Sequence, residues 1–461
     1  MERKTAWEKY TRKQKTDVMT FAEGYRQFIS DCKTERECVK EFVKIASNQG
    51  FKDLSKLIEK KGKLKAGDKV YLTNMGKAMV LFVIGKEPLE KGMNILGAHI
   101  DSPRLDLKHN PLYEDSGLAM MDTHYYGGIK KYQWVTLPMA LHGVIATKEK
   151  GVIEINIGEK ELDPVFGVSD LLIHLAADQM DKKVAKAVKG EALDICVGSI
   201  PLKGEEKDAV KKNVLKILKD KYGIVEEDFI SAEIEVVPAG SARDYGFDRS
   251  MIMGYGQDDR VCAYTSLIAM VEGASEGRTS CCILADKEEI GSTGATGMNS
   301  HLLDNAVAEV VARLNVKDNP ELVIRRALAN SYMLSSDVNT AYDPLNSNLY
   351  DSDNSSFLGR GVVFNKYTGS RGKSGASDAN PEFIAKVRAK LYEKDVKFQN
   401  AELAKVDVGG GGTIAHYAAE YGMSVLDCGV SVLSMHAPWE ITSAYDIEQA
   451  YLCYKAFLTL A

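Results

Sequence analysis

Apolar residues recur at helical spacing over residues 18–49: Val18, Phe21, Tyr25, Phe28 and Ile29, then Cys38, Val39, Phe42, Val43 and Ala46. That spacing gathers them on one face and predicts helices. Val70 to Ile84 reads as a hairpin, VYLTN and MVLFVIG around the turn MGK. NILGAHID (94–101) is an apolar run that turns polar at its end. It predicts a buried strand, and an open α/β sheet places its ligands outside the carboxyl ends of such strands.

Between Pro103 and Tyr245 the texture changes to strand-like pieces. TLPMALHGVIAT reads as strand, GVIEINIG alternates with a period of two, VSDLLIHLAADQM reads as a short helix, and KGEEKDAVKKNVLKILKDKYG reads as a charged amphipathic helix. Buried α/β texture returns near Met251. DDRVCAYTSLIAMVEGA predicts a helix, TSCCILAD a strand, NAVAEVVARLN a helix, and ELVIRRALANSYML helix or helix–strand pieces. The Ser-, Asn- and Gly-rich stretch 351–380 reads as loop. PEFIAKVRAKLYEKD predicts a helix, GGGGTIAHYAAEYG a turn into a helix, MSVLDCGVSVLSMH a strand region, and ITSAYDIEQAYLCYKAFLTLA a closing helix. The pattern therefore predicts one α/β domain, 1–102 and 246–461, with a mixed central sheet flanked by helices. A mainly-β insertion, 103–245, interrupts it.

Composition narrows the class. With 45% hydrophobic and 27% charged residues the chain has the balance of a globular protein, not a disordered one. Its net charge of −6 gives no general attraction to nucleic acid or anionic membrane, so neither is expected as a partner. MERKTAWEKYTRKQK lacks the apolar core of a secretory signal, and no apolar run is long enough for a transmembrane helix, so a cytoplasmic protein is expected. The eight cysteines form no C-x-x-C pair, which argues for reduced, mostly buried thiols. Cys281 and Cys282 are adjacent in a strand and cannot face the same way.

Five short motifs at strand ends or loop starts carry candidate chemistry. In GAHIDSP, His99 and Asp101 sit two apart on an extended segment, where both point to one side. Asp258 and Asp259 open a helix in GQDDR, and adjacent carboxylates there call for a compensating charge. Glu288 and Glu289 follow a buried strand in ADKEEIG, Asp337 follows an apolar stretch in SSDVN, and His436 ends another in SMHAPWE. Each alone reads equally as a polar strand end, a helix cap, a solvated charge run or a structural His. Together, His99, Asp258, Glu289, Asp337 and His436 are the ligand count for two dications sharing a bridging carboxylate. Mixed imidazole and carboxylate donors suit zinc, with cobalt or manganese as alternatives. Two such ions about 3.5–4 Å apart activate water and stabilise a tetrahedral intermediate. Glu288 beside them fits a general base that becomes the acid toward the leaving amine.

These residues, with GAHIDSPRL, the helix-opening DD, DKEEIGSTGATG, SSDVNTAYDP, KYTGSRGKSGASDA, GGGGT and SMHAPWE, resemble the aspartyl aminopeptidase family of co-catalytic metallopeptidases, and its bacterial members most closely. The resemblance runs from Tyr25 to the final helix. It implies a zinc-aminopeptidase-like catalytic domain in which Asp258 bridges the metals, Glu288 is the base and Asp101 orients the site. It implies that the insertion is a dimerisation and lid domain, that dimers assemble into a tetrahedral dodecamer, and that His174 reaches a neighbouring subunit's active site. Lys366 matches a residue that meets an acidic substrate side chain, and the glycines 409–412, Gly411 among them, would bring backbone near the substrate.

The chain departs from the family pattern after Asp337. Members that prefer acidic N-terminal residues often carry His there, where this sequence has Thr340 and Asp343, which speaks against strict acidic specificity. The activity expected is removal of N-terminal residues from peptides. The alternatives at this point are another hydrolase with the same metal centre (a carboxypeptidase or amidase) and a non-enzymatic, self-assembling peptide-binding shell.

Overall fold

The structure, a computed structural model, describes residues 5–147, 149–273 and 277–461. The chain divides into two compact units, one of Met1–Asp101, Ala242–Met435 and Glu440–Ala461, the other of Ser102–Ser241 with His436–Trp439.

The first unit is built on a nine-stranded mixed sheet. Its order is Lys52–Asp53, Lys69–Asn74, Ala78–Val83, Thr279–Ala285, Met93–His99, Tyr332–Ser336, Ser424–Gly429, Val362–Asn365 and Phe398–Asn400. The four strands from Thr279–Ala285 to Ser424–Gly429 run parallel. Covered on both sides, they read as nearly continuous apolar runs. Alternate residues of these strands and of the neighbouring strand Ala78–Val83 supply two cores. Leu81, Leu96, Cys282, Leu334 and Leu426 face one. Val80, Phe82, Ile95, Cys281, Ile283, Met333 and Val425 face the other. The adjacent cysteines thus point to opposite faces, and among the described residues no thiol is in a disulfide.

The first core is closed by the helices Arg12–Asp31, Glu35–Asn48, Gln257–Gly273 and Ala444–Leu458, the second by Leu302–Arg313 and Pro320–Ala329. The first two helices begin at capping boxes, Thr11 with Gln14 and Thr34 with Glu37, which satisfy backbone N–H groups that would otherwise lack partners. At Gly97 a Cβ would stand 2.2 Å from Cε of Met333, so the end of that flexible side chain would have to move. A small five-stranded sheet, ordered Arg243–Tyr245, Met251–Gly254, Glu440–Ser443, Ser431–Leu433 and Asn339–Thr340, completes this unit.

The second unit holds a six-stranded antiparallel sheet, Gly151–Ile157, Met139–Thr147, Ala232–Pro238, Arg104–Asp115, Leu118–Tyr126 and Ile195–Gly198, with the helix Ala209–Tyr222 packed on it through Val210 and Val214. Arg104 Nε lies 3.3 Å from Oε2 of buried Glu235, and His142 Nε2 lies 2.9 Å from Glu159 Oε1.

Two sequence readings change. The loop expected over 351–380 contains the strand Val362–Asn365, fully buried in the large sheet. Its four residues are too few to show periodicity, and the surrounding Gly and Ser hide them. VSDLLIHLAADQM forms the 3₁₀ helix Ile173–Leu175 and the single-turn α-helix Ala177–Met180 instead of one continuous short helix. Leu171, Leu172, Ile173 and Leu175 are exposed, so no apolar face is buried to hold a longer helix. Among the described residues no helix is long and apolar enough to cross a membrane.

Candidate metal centre

The parallel strands deliver the acidic and His motifs to their shared carboxyl end, in the middle of the sheet. Met93–His99 ends in His99, Thr279–Ala285 runs into Asp286 and the Glu288–Glu289 pair, and Tyr332–Ser336 is followed by Asp337. Gly429, ending the next strand, lets the chain approach closely. A Cβ there would meet the Asp337 carbonyl oxygen at 1.9 Å, while the Asp337 N–H donates to the Cys428 carbonyl at 2.8 Å.

His99 is buried at the centre. Its Nδ1 lies 3.1 Å from the backbone oxygen and 3.2 Å from Oδ1 of Asp101, which is the place of an N–H donor. The other nitrogen, Nε2, faces Asp258 Oδ1 at 3.2 Å, with Glu288 Oε2 and Asp337 Oδ1 each at 3.9 Å. Asp101 has a second task. Its two carboxylate oxygens accept the N–H groups of Glu288 and Glu289 at 3.1 and 3.2 Å, so one carboxylate fixes both the imidazole and the acid pair.

Asp258 is held apart from the helix it opens. Its backbone is extended (φ −80°, ψ 106°), and its N–H donates to Glu440 Oε2 at 3.1 Å. Gln257 is clamped to the carbonyls of Ile252 and Glu440 at 3.0 and 2.7 Å and accepts from the Tyr25 hydroxyl at 3.2 Å. Asp259 and Arg260 are buried too, so the pair is not the surface acid that a helix cap would allow. Arg260 Nε donates to the Ile100 carbonyl at 3.2 Å, and its guanidinium lies 5.2 Å from the Tyr255 ring centroid.

The electrostatics describe a site short of positive charge. Burial, with the neighbouring Asp258 carboxylate adding and His99 opposing, holds the carboxyls of Asp259 and Asp337 well above their ordinary range. Burial works against a charged His99, yet its hydrogen bonds to Asp101 and Asp258 outweigh this and raise its pKa. A dication relieves both: it neutralises the crowded carboxylates and takes the imidazole lone pair. His99, Glu288 and Glu289 offer ligand atoms within 4.8 Å of one another, as do His99, Asp258 and Asp337. The donor set therefore fits a divalent metal.

Most of the other residues singled out in the sequence have partners of their own. His436 belongs to the short segment grouped with the second unit, where its Nδ1 lies 2.8 Å from the Gly128 carbonyl oxygen. His174 is exposed on the turn Ile173–Leu175. Lys366 is ion-paired with Asp378, which Lys373 also approaches at 3.4 Å. The Gly411 carbonyl accepts the Gly369 N–H. Thr340 Oγ1 lies 3.1 Å from the Tyr350 hydroxyl, and Asp343 caps the turn Pro344–Leu349.

Sequence reasoning did not single out Glu440, although it lies in the quoted SMHAPWE motif. Nor did it single out Asp286, Asp427 or Thr413. Asp427 is buried on the strand Ser424–Gly429, accepts the Thr413 hydroxyl at 2.5 Å through Oδ1, and has no hydrogen bond at Oδ2. Burial pushes its carboxyl up to about 7.

Parallel strands feeding a buried imidazole and a ring of carboxylates define a metal-dependent hydrolase. The model of the family described as aminopeptidase I zinc metalloprotease (M18) matches residues 28–458. The chain is 59% identical over 458 residues to the probable M18 family aminopeptidase 1 of Clostridium acetobutylicum, covering 99% of this chain and 98% of that protein. The crystal structure of the M18 aminopeptidase from Thermotoga maritima superposes with a TM-score of 0.95 at 45% identity, covering 100% of both chains. That of aminopeptidase I from Clostridium acetobutylicum gives 0.92 at 58% identity and 99% coverage of each. This chain belongs to the M18 family of zinc metalloproteases, and it is a metalloaminopeptidase.

Proposed function

We propose that the protein removes single N-terminal residues from peptides at a centre of two divalent ions, zinc first among them and cobalt or manganese as alternatives. His99, Asp258, Glu289, Asp337 and His436 would be the ligands, with Asp258 as the bridge. The metals, when bound, supply Lewis acidity for the peptide carbonyl and for the attacking water. The chain's own residues do the rest. Glu288 takes a proton from the attacking water and returns it to the amine of the departing peptide, so the C–N bond breaks as the new C–O bond is kept. Asp101 holds His99 in the tautomer that leaves Nε2 for metal and fixes the Glu288 backbone. The single observation that carries this reading is the convergence of Asp258, Glu288 and Asp337 on His99 Nε2.

Lys366, Gly411 and His174 belong to the proposed substrate-binding set. The ion pair between Lys366 and Asp378 competes with an acidic substrate side chain, and with Thr340 and Asp343 it favours a preference that is not strictly acidic. A homo-oligomer, built from dimers as a tetrahedral dodecamer, agrees with the exposed apolar residues Leu171, Leu172, Ile173, Leu175 and Met180 of the second unit. A cytoplasmic location goes with this reading.

The test is a matched pair of peptides, with free and acetylated N-termini, assayed with metal content measured per chain. The proposal expects hydrolysis of the free peptide alone and two metal equivalents. Equal cleavage of the acetylated peptide would point to an amidase or carboxypeptidase, and no retained metal would point to a non-enzymatic shell.

A further inference from the structure

The turn that carries Glu288 is held on its far side by a second buried carboxylate. Asp286 follows the strand Thr279–Ala285 and is fully buried. Its N–H donates to the Thr296 carbonyl at 3.1 Å. Its Oδ2 accepts from the Thr296 hydroxyl at 2.5 Å and from Lys287 Nζ at 2.9 Å, and Lys77 Nζ lies 3.7 Å away. Lys77 is nearly buried, in the turn between the strands Lys69–Asn74 and Ala78–Val83.

Lys287 is left-handed, with φ 69°, and its carbonyl accepts the N–H of Ser292 at 2.7 Å. Its side chain folds back over Gly294, where a Cβ would sit 3.1 Å from Lys287 Cδ and Cε. Asp286 thus grips the turn before Glu288, and Asp101 grips the N–H groups of Glu288 and Glu289. Burying a charged pair at a strand end is costly, and apolar residues of similar size often serve stability as well or better. What this pair adds is a fixed backbone beside the base.

The geometry points to Asp286, paired with Lys77, as a positioning residue for Glu288 in the reaction proposed above, on which this inference rests. It touches neither substrate nor metal in that role and acts through the turn at Lys287. Misplacing a reacting group by about 1 Å costs on the order of 10²-fold in rate.

The experiment compares the full-length, metal-loaded protein with Lys77→Met, Lys77→Arg, Asp286→Asn and the double variant Lys77→Met/Asp286→Asn, with Glu288→Gln as reference. Lys77→Met and Asp286→Asn are expected to lower kcat about 10- to 100-fold, with KM and metal content unchanged. Lys77→Arg should keep most of the activity. The double variant should be no worse than Lys77→Met, because the two residues act as a unit. Asp286→Asn keeps an acceptor for Thr296 and serves if Lys77→Met fails to fold. Wild-type kcat in Asp286→Asn, or a change confined to KM or to metal content, would overturn the inference while an inactive Glu288→Gln leaves the proposed reaction standing. An active Glu288→Gln would overturn both.

Discussion

At the scale of single residues, Asp101 is the most heavily used group in the site. It meets His99 with one oxygen and two backbone N–H groups with both, so its charge orients an imidazole and an acid pair together. Replacing it with Asn substitutes a donor for one acceptor and removes the charge that favours Nδ1–H on His99. Asp101→Asn is expected to weaken metal binding about 10- to 100-fold and to lower kcat. Competition with a chelator, followed by metal analysis, checks this, and unchanged retention would contradict it. Asp101 could be singled out because it lies two residues from His99 on an extended segment. Asp286 and Glu440 could not be assigned roles in the same way. Their partners, Thr296 with Lys77 and the backbone of Asp258, are brought to them only by the fold.

At the scale of elements, apolar runs and period-two alternation made most of the large sheet legible, because strands covered on both sides carry their own signal. Val362–Asn365 was not legible, since it borrows its strand character from pairing with Ser424–Gly429. The same neighbour carries Asp427, whose burial makes a prediction about pH. Its folded-state value is about 7 against an ordinary 3.8, so the folded protein holds a proton that the unfolded chain releases. The stability this gives is fully present below about pH 4 and is lost as pH rises through 7, with a slope of up to about 1.4 kcal/mol per pH unit from this group. Asp427→Asn removes that loss. Between pH 5 and 8 its urea midpoint should therefore gain on that of the wild type as pH rises. Parallel pH dependence of the two proteins would show that Asp427 is not the group responsible.

At the scale of the whole molecule, the second unit leaves Leu172, Ile173, Leu175 and Met180 exposed on short turns, an arrangement suited to cover by another copy. Leu172→Glu/Ile173→Glu should shift the sedimentation profile to smaller species at equal concentration, and an unaltered profile would remove this segment from the assembly. The second compact unit spans Ser102–Ser241 together with His436–Trp439. Only the fold reveals that grouping, because those four residues lie within the apolar texture of the first unit.

All of these scales serve one claim: that a carboxylate beside His99 moves the proton while the neighbouring groups hold metal. Glu288→Gln keeps the size and the backbone bond to Asp101 but cannot take a proton. Measured together on the purified variant, metal content and peptide hydrolysis decide the matter. Wild-type metal content is expected, with hydrolysis reduced by about 10²- to 10⁴-fold, the contribution of a positioned general base. Full activity at full metal content would contradict it.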